Sequence, residues 1–297
     1  MNNIKLGFIG FGEASFSMAI GLASQGLTDI AAFDKNYQTE PHASVIQQNA
    51  EEANVELLPS LEELIEASNM VISATSSAIA VEVAREAKPF LGGEKVFVDV
   101  NAASPEAMEK ISSLLEESGS VFVDVAMMGP LPTYRHEVPI LASGNGAETF
   151  KDRMESFGMN IKVISESPGK ASGVKMFRSV FMKGLAALFF ETYFPAKKYE
   201  VLDLVVESLS ETMNNLSFEA VTQRLVCGTA IHAGRRIHEM EDVIRTLEQL
   251  NVTPAMSQST HDTLEWVDSL GLKEHFSGQK PEDFSKVIEA IEAKECQ

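Results

Sequence analysis

The sequence has little cysteine, little basic charge and no long uninterrupted apolar run. Cys227 and Cys296 are its two cysteines, far apart and without a metal-ligand partner pattern. That spacing suggests neither a disulfide framework nor a zinc centre, and it fits a reducing compartment; no metal is expected. Basic residues number 24 against 43 acidic ones, for a net charge of −19. A surface of that sign repels phosphate backbones and anionic lipid, so nucleic-acid and membrane partners are not expected. The acids are spread along helical segments, as at Glu51, Glu52, Glu62, Glu63, Glu116 and Glu117, which is the pattern of a solvated face. No stretch approaches the roughly 18 apolar residues of a membrane span. The run from Ile4 to Ala23 is broken by Gly7, Gly10, Gly12 and Glu13 and lacks a basic leader. It reads as a strand and a helix, not as a secretory signal, and a cytoplasmic protein is expected.

What is present points to two domains. The chain has 297 residues, 44% of them hydrophobic, enough for two globular cores. Short apolar runs alternate with amphipathic stretches: Ile4–Ile9, Ile30–Phe33, Met70–Ser73, Val96–Val100 and Val121–Val125, then Val138–Ala142 and Ile161–Ile164. That alternation marks a mostly parallel, doubly wound sheet of about eight strands with crossover helices. Ser60 with Glu63 reads as a capping box, and Ser104 before Pro105 as an N-cap with proline in the first helical position. After Ser167-Pro168-Gly169 the pattern becomes helical to the end. The expected division is a Rossmann-type α/β domain over 1–166 and an all-helical substrate and dimerisation domain over 167–297. The first helix of the second part, about 170–194, is apolar on most sides and is expected to be buried on most of them. Further helices are expected near 200–214, 217–250 with a break around Gly228, 254–269 and 281–293.

Gly10-Phe11-Gly12-Glu13-Ala14-Ser15 follows an apolar strand and opens a helix, the context in which a glycine-rich turn binds a dinucleotide. Gly10 permits the tight turn, Gly12 lets the backbone approach a pyrophosphate, and the first amides of the helix face it. Ser15 stands where a third glycine is usual. Asp34 ends the second strand, where a carboxylate accepts from the adenosine ribose hydroxyls. It favours NAD over NADP, although Lys35 beside it would partly offset a 2′-phosphate. Thr75, Ser76 and Asn101 lie at or beyond the ends of later strands and are candidate contacts to the nicotinamide half.

On the interdomain helix Lys175, Arg178 and Ser179 share one face at i, i+3 and i+4. With the glycine turn, this segment resembles the β-hydroxyacid dehydrogenase superfamily, which includes 3-hydroxyisobutyrate and 6-phosphogluconate dehydrogenases. The family motif G-x-G-x-x-x-K-x-x-x-N is matched at Gly169 and Lys175, with Ala171 and Ser179 at the second glycine and the asparagine. The resemblance implies a catalytic Lys175, with Ser179 orienting it or the substrate. Hydride transfer from a carbinol carbon needs a group that takes the hydroxyl proton, or returns one, and a lysine with a lowered pKa does both. The family's carboxylate-binding D-x-P-V-S-G-G loop corresponds to Asp124–Pro130, where Met128 replaces the serine and one glycine, Gly129, remains. The M-G-P-x-P segment, the Lys175–Ser179 run and Arg235-Arg236-x-x-Glu239-Met240 are similar to a less characterised branch with its own helical C-terminal domain. His232, Arg235 and Arg236 could supply an anion site that the altered loop lacks, although Arg235 with Glu239 is also an ordinary surface pair. The resemblance implies an NAD(P)-dependent oxidoreductase acting on a small β-hydroxy acid, assembled as a homodimer. An imine reductase and a non-catalytic dinucleotide sensor are the alternatives.

Overall fold

The computed structural model describes residues 4–93 and 95–295, so Cys296 lies outside the described residues. The chain divides into two compact units, Met1–Val180 and Phe181–Gln297.

The first unit alternates strands and helices: β1 (Leu6–Ile9), α1 (Glu13–Ser24), β2 (Ile30–Phe33), α2 (Ala43–Ala53), β3 (Glu56–Leu57), α3 (Leu61–Ala67), β4 (Met70–Ser73), α4 (Ala80–Ala87), β5 (Val96–Asp99) and α5 (Pro105–Leu115). It continues with β6 (Val121–Met127), α6 (Leu131–Tyr134), β7 (Ile140–Ser143), α7 (Ala147–Met154), β8 (Ile161–Ser165) and the start of α8 (Lys170–Lys198). The described strands form one eight-stranded sheet in the order β3-β2-β1-β4-β5-β6-β7-β8. All pairs are parallel except β6 with β7. Strands β1, β4 and β5 are buried at every position, as expected of strands covered on both faces. One apolar cluster runs from β1 under α1, α2 and α7. Another lies on the opposite face beneath α3, α4 and α5. Both expected caps form: the Ser60 hydroxyl accepts from the Glu63 amide at 3.1 Å and that of Ser104 from the Ala107 amide at 3.2 Å. The short β3 had no apolar run to announce it.

The second unit holds the rest of α8, then α9 (Leu202–Asn214), α10 (Phe218–Gln249), α11 (Ala255–Ser269), α12 (Leu272–His275) and α13 (Phe284–Glu295). Its core is a small cluster around Cys227, Ala230, Leu272, Val287 and Ala290. Two expectations need correction. The deformation in α10 falls at His232 (φ −119°, ψ 18°) rather than around Gly228. A Cβ at Gly228 would stand 3.1 Å from the Arg236 guanidinium, so this glycine serves close packing and stays helical. Helix α8 is also not buried on most sides: Phe177, Val180 and Phe190 are 76%, 74% and 78% exposed in the single chain. A helix apolar all round needs cover on every side, and one chain does not provide it.

Candidate active site

The strand order reverses direction between β1 and β4, and ligands in such sheets bind at the carboxyl ends of the strands flanking that point. A cleft of about 290 Å³ opens there, lined by Gly10, Gly12, Asp34, Lys35, Asn36, Thr75 and Glu86 among others. Gly10 is required twice over. Its φ is +85°, and a Cβ on it would lie 2.7 Å from the Ala74 carbonyl oxygen. Gly12 faces open space: apart from its chain neighbours and the adjoining helix backbone, no described atom lies within 4 Å of where its Cβ would stand. As the N-cap of α1 it has no side chain to occupy the first amides, so the donors of Glu13, Ala14 and Ser15 are left for a ligand. Those features fit a dinucleotide pyrophosphate. Ser15 is fully buried, and its hydroxyl donates to the Gly10 carbonyl at 2.6 Å, closing the turn from within. Asp34 ties the same turn to the next strand, because its carboxylate accepts from the Phe11 amide at 2.9 Å and the Asn36 amide at 2.8 Å. Each oxygen keeps a lone pair for a ribose hydroxyl.

Thr75 lines the cleft, whereas Ser76 is exposed beyond it. Asn101 acts as a brace. Its side-chain oxygen accepts from the Thr75 amide at 2.5 Å, and its nitrogen donates to the Ser73 hydroxyl at 3.0 Å and to Asp99 at 2.7 Å.

Asp124 organises the start of α8. This buried carboxylate accepts from the Gly169 amide at 3.0 Å, the Ser172 amide at 3.1 Å, the Ser172 hydroxyl at 2.5 Å and the Ser143 hydroxyl at 3.0 Å. The Ser143 oxygen accepts from the Ala171 amide at 3.0 Å. The first amides of α8 are thereby locked to β6 and β7. Lys175, more than one turn along α8, is half-buried; burial lowers its pKa, with the Asp124 charge opposing. Ser179 is half-buried and Arg178 exposed.

Met128 and Gly129 begin the segment that leads to β7. The Met128 amide donates to the Pro139 carbonyl at 2.8 Å, and a Cβ at Gly129 would touch the Tyr134 ring at 3.3 Å. Further on, His136 is buried against Gly21 of α1, where a Cβ would come within 2.1 Å of its Nδ1.

In the helical unit, Arg235 pairs with Glu239 at 2.8 Å on the surface, and Arg236 donates to the Thr229 hydroxyl. His232 is exposed at the bend in α10. His261, Asp262 and Glu265 lie near one another on α11, with the carboxylates 63% and 60% exposed and the imidazole mostly buried. No described helix is long and apolar enough to cross a membrane.

Sequence reasoning missed Asp99, Ser143 and Ser172. The signal available was that Val96–Val100 and Val121–Val125 both read Val-Phe-Val-Asp-Val. An acid within an otherwise apolar run is out of place in a buried strand unless something uses it.

Residues 5–164 match the model described as the NAD binding domain of 6-phosphogluconate dehydrogenase, and residues 196–267 match a domain of unknown function, DUF1932. A relative from Methanothermus fervidus, described as an uncharacterized 28.5 kDa protein in the 7S RNA 5′ region, is 29% identical over 265 residues, 89% of this chain and 99% of that one. A conserved protein of unknown function, whose structure is described as similar to 3-hydroxyacid dehydrogenases, shares 32% identity over 92% of this chain and 99% of its own, with a TM-score of 0.59. The reductive aminase of Aspergillus terreus superposes with a TM-score of 0.73 at 17% identity, covering 97% of this chain and 99% of the other; this is a likeness of fold. With a glycine turn shaped for pyrophosphate, a cleft at the switch point and a family match over more than half of its length, the chain belongs to the family of the NAD binding domain of 6-phosphogluconate dehydrogenase.

Proposed function

We propose that the protein is an NAD(P)-dependent oxidoreductase that interconverts a small hydroxyl compound, a β-hydroxy acid by class, with its carbonyl form. The observation that carries this reading is Lys175, half-buried with a lowered pKa on a helix whose start is fixed to the sheet by Asp124. A nicotinamide dinucleotide supplies the hydride donor or acceptor. The glycine turn and the first amides of α1 hold its pyrophosphate, and Asp34 takes the ribose hydroxyls. Lys175 moves the proton at the substrate oxygen: its ammonium donates in the reductive direction, and its free amine accepts in the oxidative one. Burial favours the free amine, so oxidation gains rate as pH rises through the lowered pKa. Ser179, one helical turn on, orients the lysine or the hydroxyl. Met128, Gly129 and Arg178 are assigned to the substrate side.

NAD is the favoured cofactor, because Asp34 and Glu86 in the cleft oppose a 2′-phosphate while Lys35 offsets them only in part. Residues 1–166 are assigned to the cofactor and 167–297 to substrate and assembly. The exposed apolar side chains of α8 support a homodimer covering them; sedimentation that finds only monomer at micromolar concentration would remove it.

An imine reductase is the second reading, favoured by Met128 and Pro130 where carboxylate-binding residues are usual. The test is Lys175→Ala, assayed with hydroxy acids, alcohols, aldehydes and imines. Turnover of a hydroxyl or carbonyl compound is expected to fall about 10²-fold or more while dinucleotide affinity stays unchanged. Full activity in the variant rejects the lysine role, and turnover restricted to imines selects the second reading. A wild type that binds dinucleotide but turns over nothing is a sensor.

A further inference from the structure

Asp99, the last residue of β5, is 1% exposed, and it is paired in register with Asp124 of β6. Two buried carboxylates on neighbouring strands are costly, and a neutral residue at either place would be cheaper. Asp124 is accounted for by the start of α8. Asp99 does not line the cleft, and neither do the two neighbours bonded to it: its carboxylate accepts from the Asn101 amide at 2.9 Å, from the Asn101 side-chain nitrogen at 2.7 Å and from the Ser73 hydroxyl.

We propose that Asp99 is a positioning residue of the dinucleotide site: its carboxylate sets which end of the Asn101 amide faces inward, and Asn101 thereby fixes the Thr75 backbone at the mouth of the cleft. The inference rests on the dinucleotide-binding reading above. An ionised carboxylate only accepts, so the Asn101 nitrogen must turn toward it and the oxygen must turn toward the Thr75 amide. The contact to Thr75 follows at 2.5 Å. Thr75 in turn stands against the glycine turn, since a Cβ on Gly10 would meet its Cγ2 at 3.0 Å. The chain beyond Asn101 is held in a left-handed conformation at Ala102 (φ 56°), a form that alanine adopts only when its surroundings impose it. A hydrogen bond to a charged acceptor is about twice as strong as one to a neutral acceptor, so loss of the Asp99 charge loosens this clamp.

The clamp is sensitive to mildly acidic pH. Burial pushes the Asp99 carboxyl up to about 6, and the Asp124 charge adds to this while hydrogen bonds from Asn101 and Ser73 oppose it. Asp124 is the charged group that faces it, from β6, and Ser73 faces it from β4; Lys175 is coupled to Asp124.

The experiment measures NADH affinity by nicotinamide fluorescence between about pH 8 and about pH 5, because the NADH phosphates do not titrate in that range. Wild type, Asp99→Asn and Asn101→Ala are compared on full-length protein, with thermal melts in parallel. Wild-type affinity is expected to weaken about fivefold on acidification through pH 6. Asp99→Asn and Asn101→Ala are each expected to bind about fivefold more weakly at the upper pH, with no step on acidification. Melting behaves differently, since the folded protein takes up the Asp99 proton before the unfolded chain does and is stabilised across the same window. A purely structural Asp99 would therefore move stability and leave affinity flat. A flat wild-type profile, or variants that keep wild-type affinity and its step, overturns the proposal. If Asp99→Asn does not fold, Asn101→Ala decides alone by the same criteria. Wild type that binds neither NADH nor NADPH at any pH overturns the dinucleotide reading and this inference with it.

Discussion

Each unit of the molecule uses a carboxylate from a distant element to hold the start of a helix, and the surroundings differ sharply. Asp124 is fully buried at the start of α8 and accepts four hydrogen bonds, two from serine hydroxyls. Glu191, midway along α8, reaches the start of α11, where Pro254 provides no capping side chain, and accepts from the Met256 and Ser257 amides at 2.7 Å each. It is half-buried and open to water. The device is the same, because helix starts leave amides without partners and favour negative charge. Its consequence depends on burial and on what the capped helix carries. The helix held by Asp124 carries Lys175, which feels the Asp124 charge, whereas the helix held by Glu191 carries no lysine.

The contrast breaks first at Asp124. Asp124→Ala is expected to cost about 4 kcal/mol, because four donors lose a buried acceptor, and to abolish turnover by releasing the start of α8. Denaturant unfolding checks the first and steady-state assay the second. Glu191→Ala is expected to cost about 1 kcal/mol, the usual value of a helix cap, and to leave kcat unchanged. Equal costs for the two variants would show that burial is not what separates them.

The pH response sharpens the same comparison. Hydrogen bonds from the Met256, Ser257 and Ala255 amides hold the Glu191 carboxyl below its ordinary value against burial. Its contribution is therefore present above the unfolded value near 4.5 and is lost as pH falls through the folded one. Asp99 acts with the opposite sign, stabilising the fold as pH falls from about 6 toward 3.8. Melting from neutral to acid pH should thus rise before it falls, and Asp99→Asn should remove the rise. The smallest effects are expected at Arg235→Ala, below about 0.5 kcal/mol because its pair with Glu239 is exposed. A raised KM with unchanged kcat in Arg235→Ala or Arg236→Ala would give that helix a substrate role, and unchanged kinetics in both would end it.

The glycine turn, the two serine caps and the switch from strands to helices were legible because each is a local matter. A positive φ at Gly10 or a hydroxyl three residues before an amide is settled within a few residues. The end of α8's burial was not legible, because periodicity reports how apolar a helix face is but not whether one chain can cover it. The bend at His232 was misplaced for a related reason: Gly228 looks like a helix breaker until the Arg236 guanidinium is seen beside it.

The sequence by itself determined a glycine turn between a strand and a helix, the α/β frame around it and the switch to helices that carries Lys175, since local conformation and hydrophobic period are written into consecutive residues. Only the tertiary structure decided that Asp99 and Asp124 stand side by side, one clamping Asn101 and the other the start of α8. Two identical pentapeptides become neighbours through strand register, and register is fixed by the packing of the whole sheet.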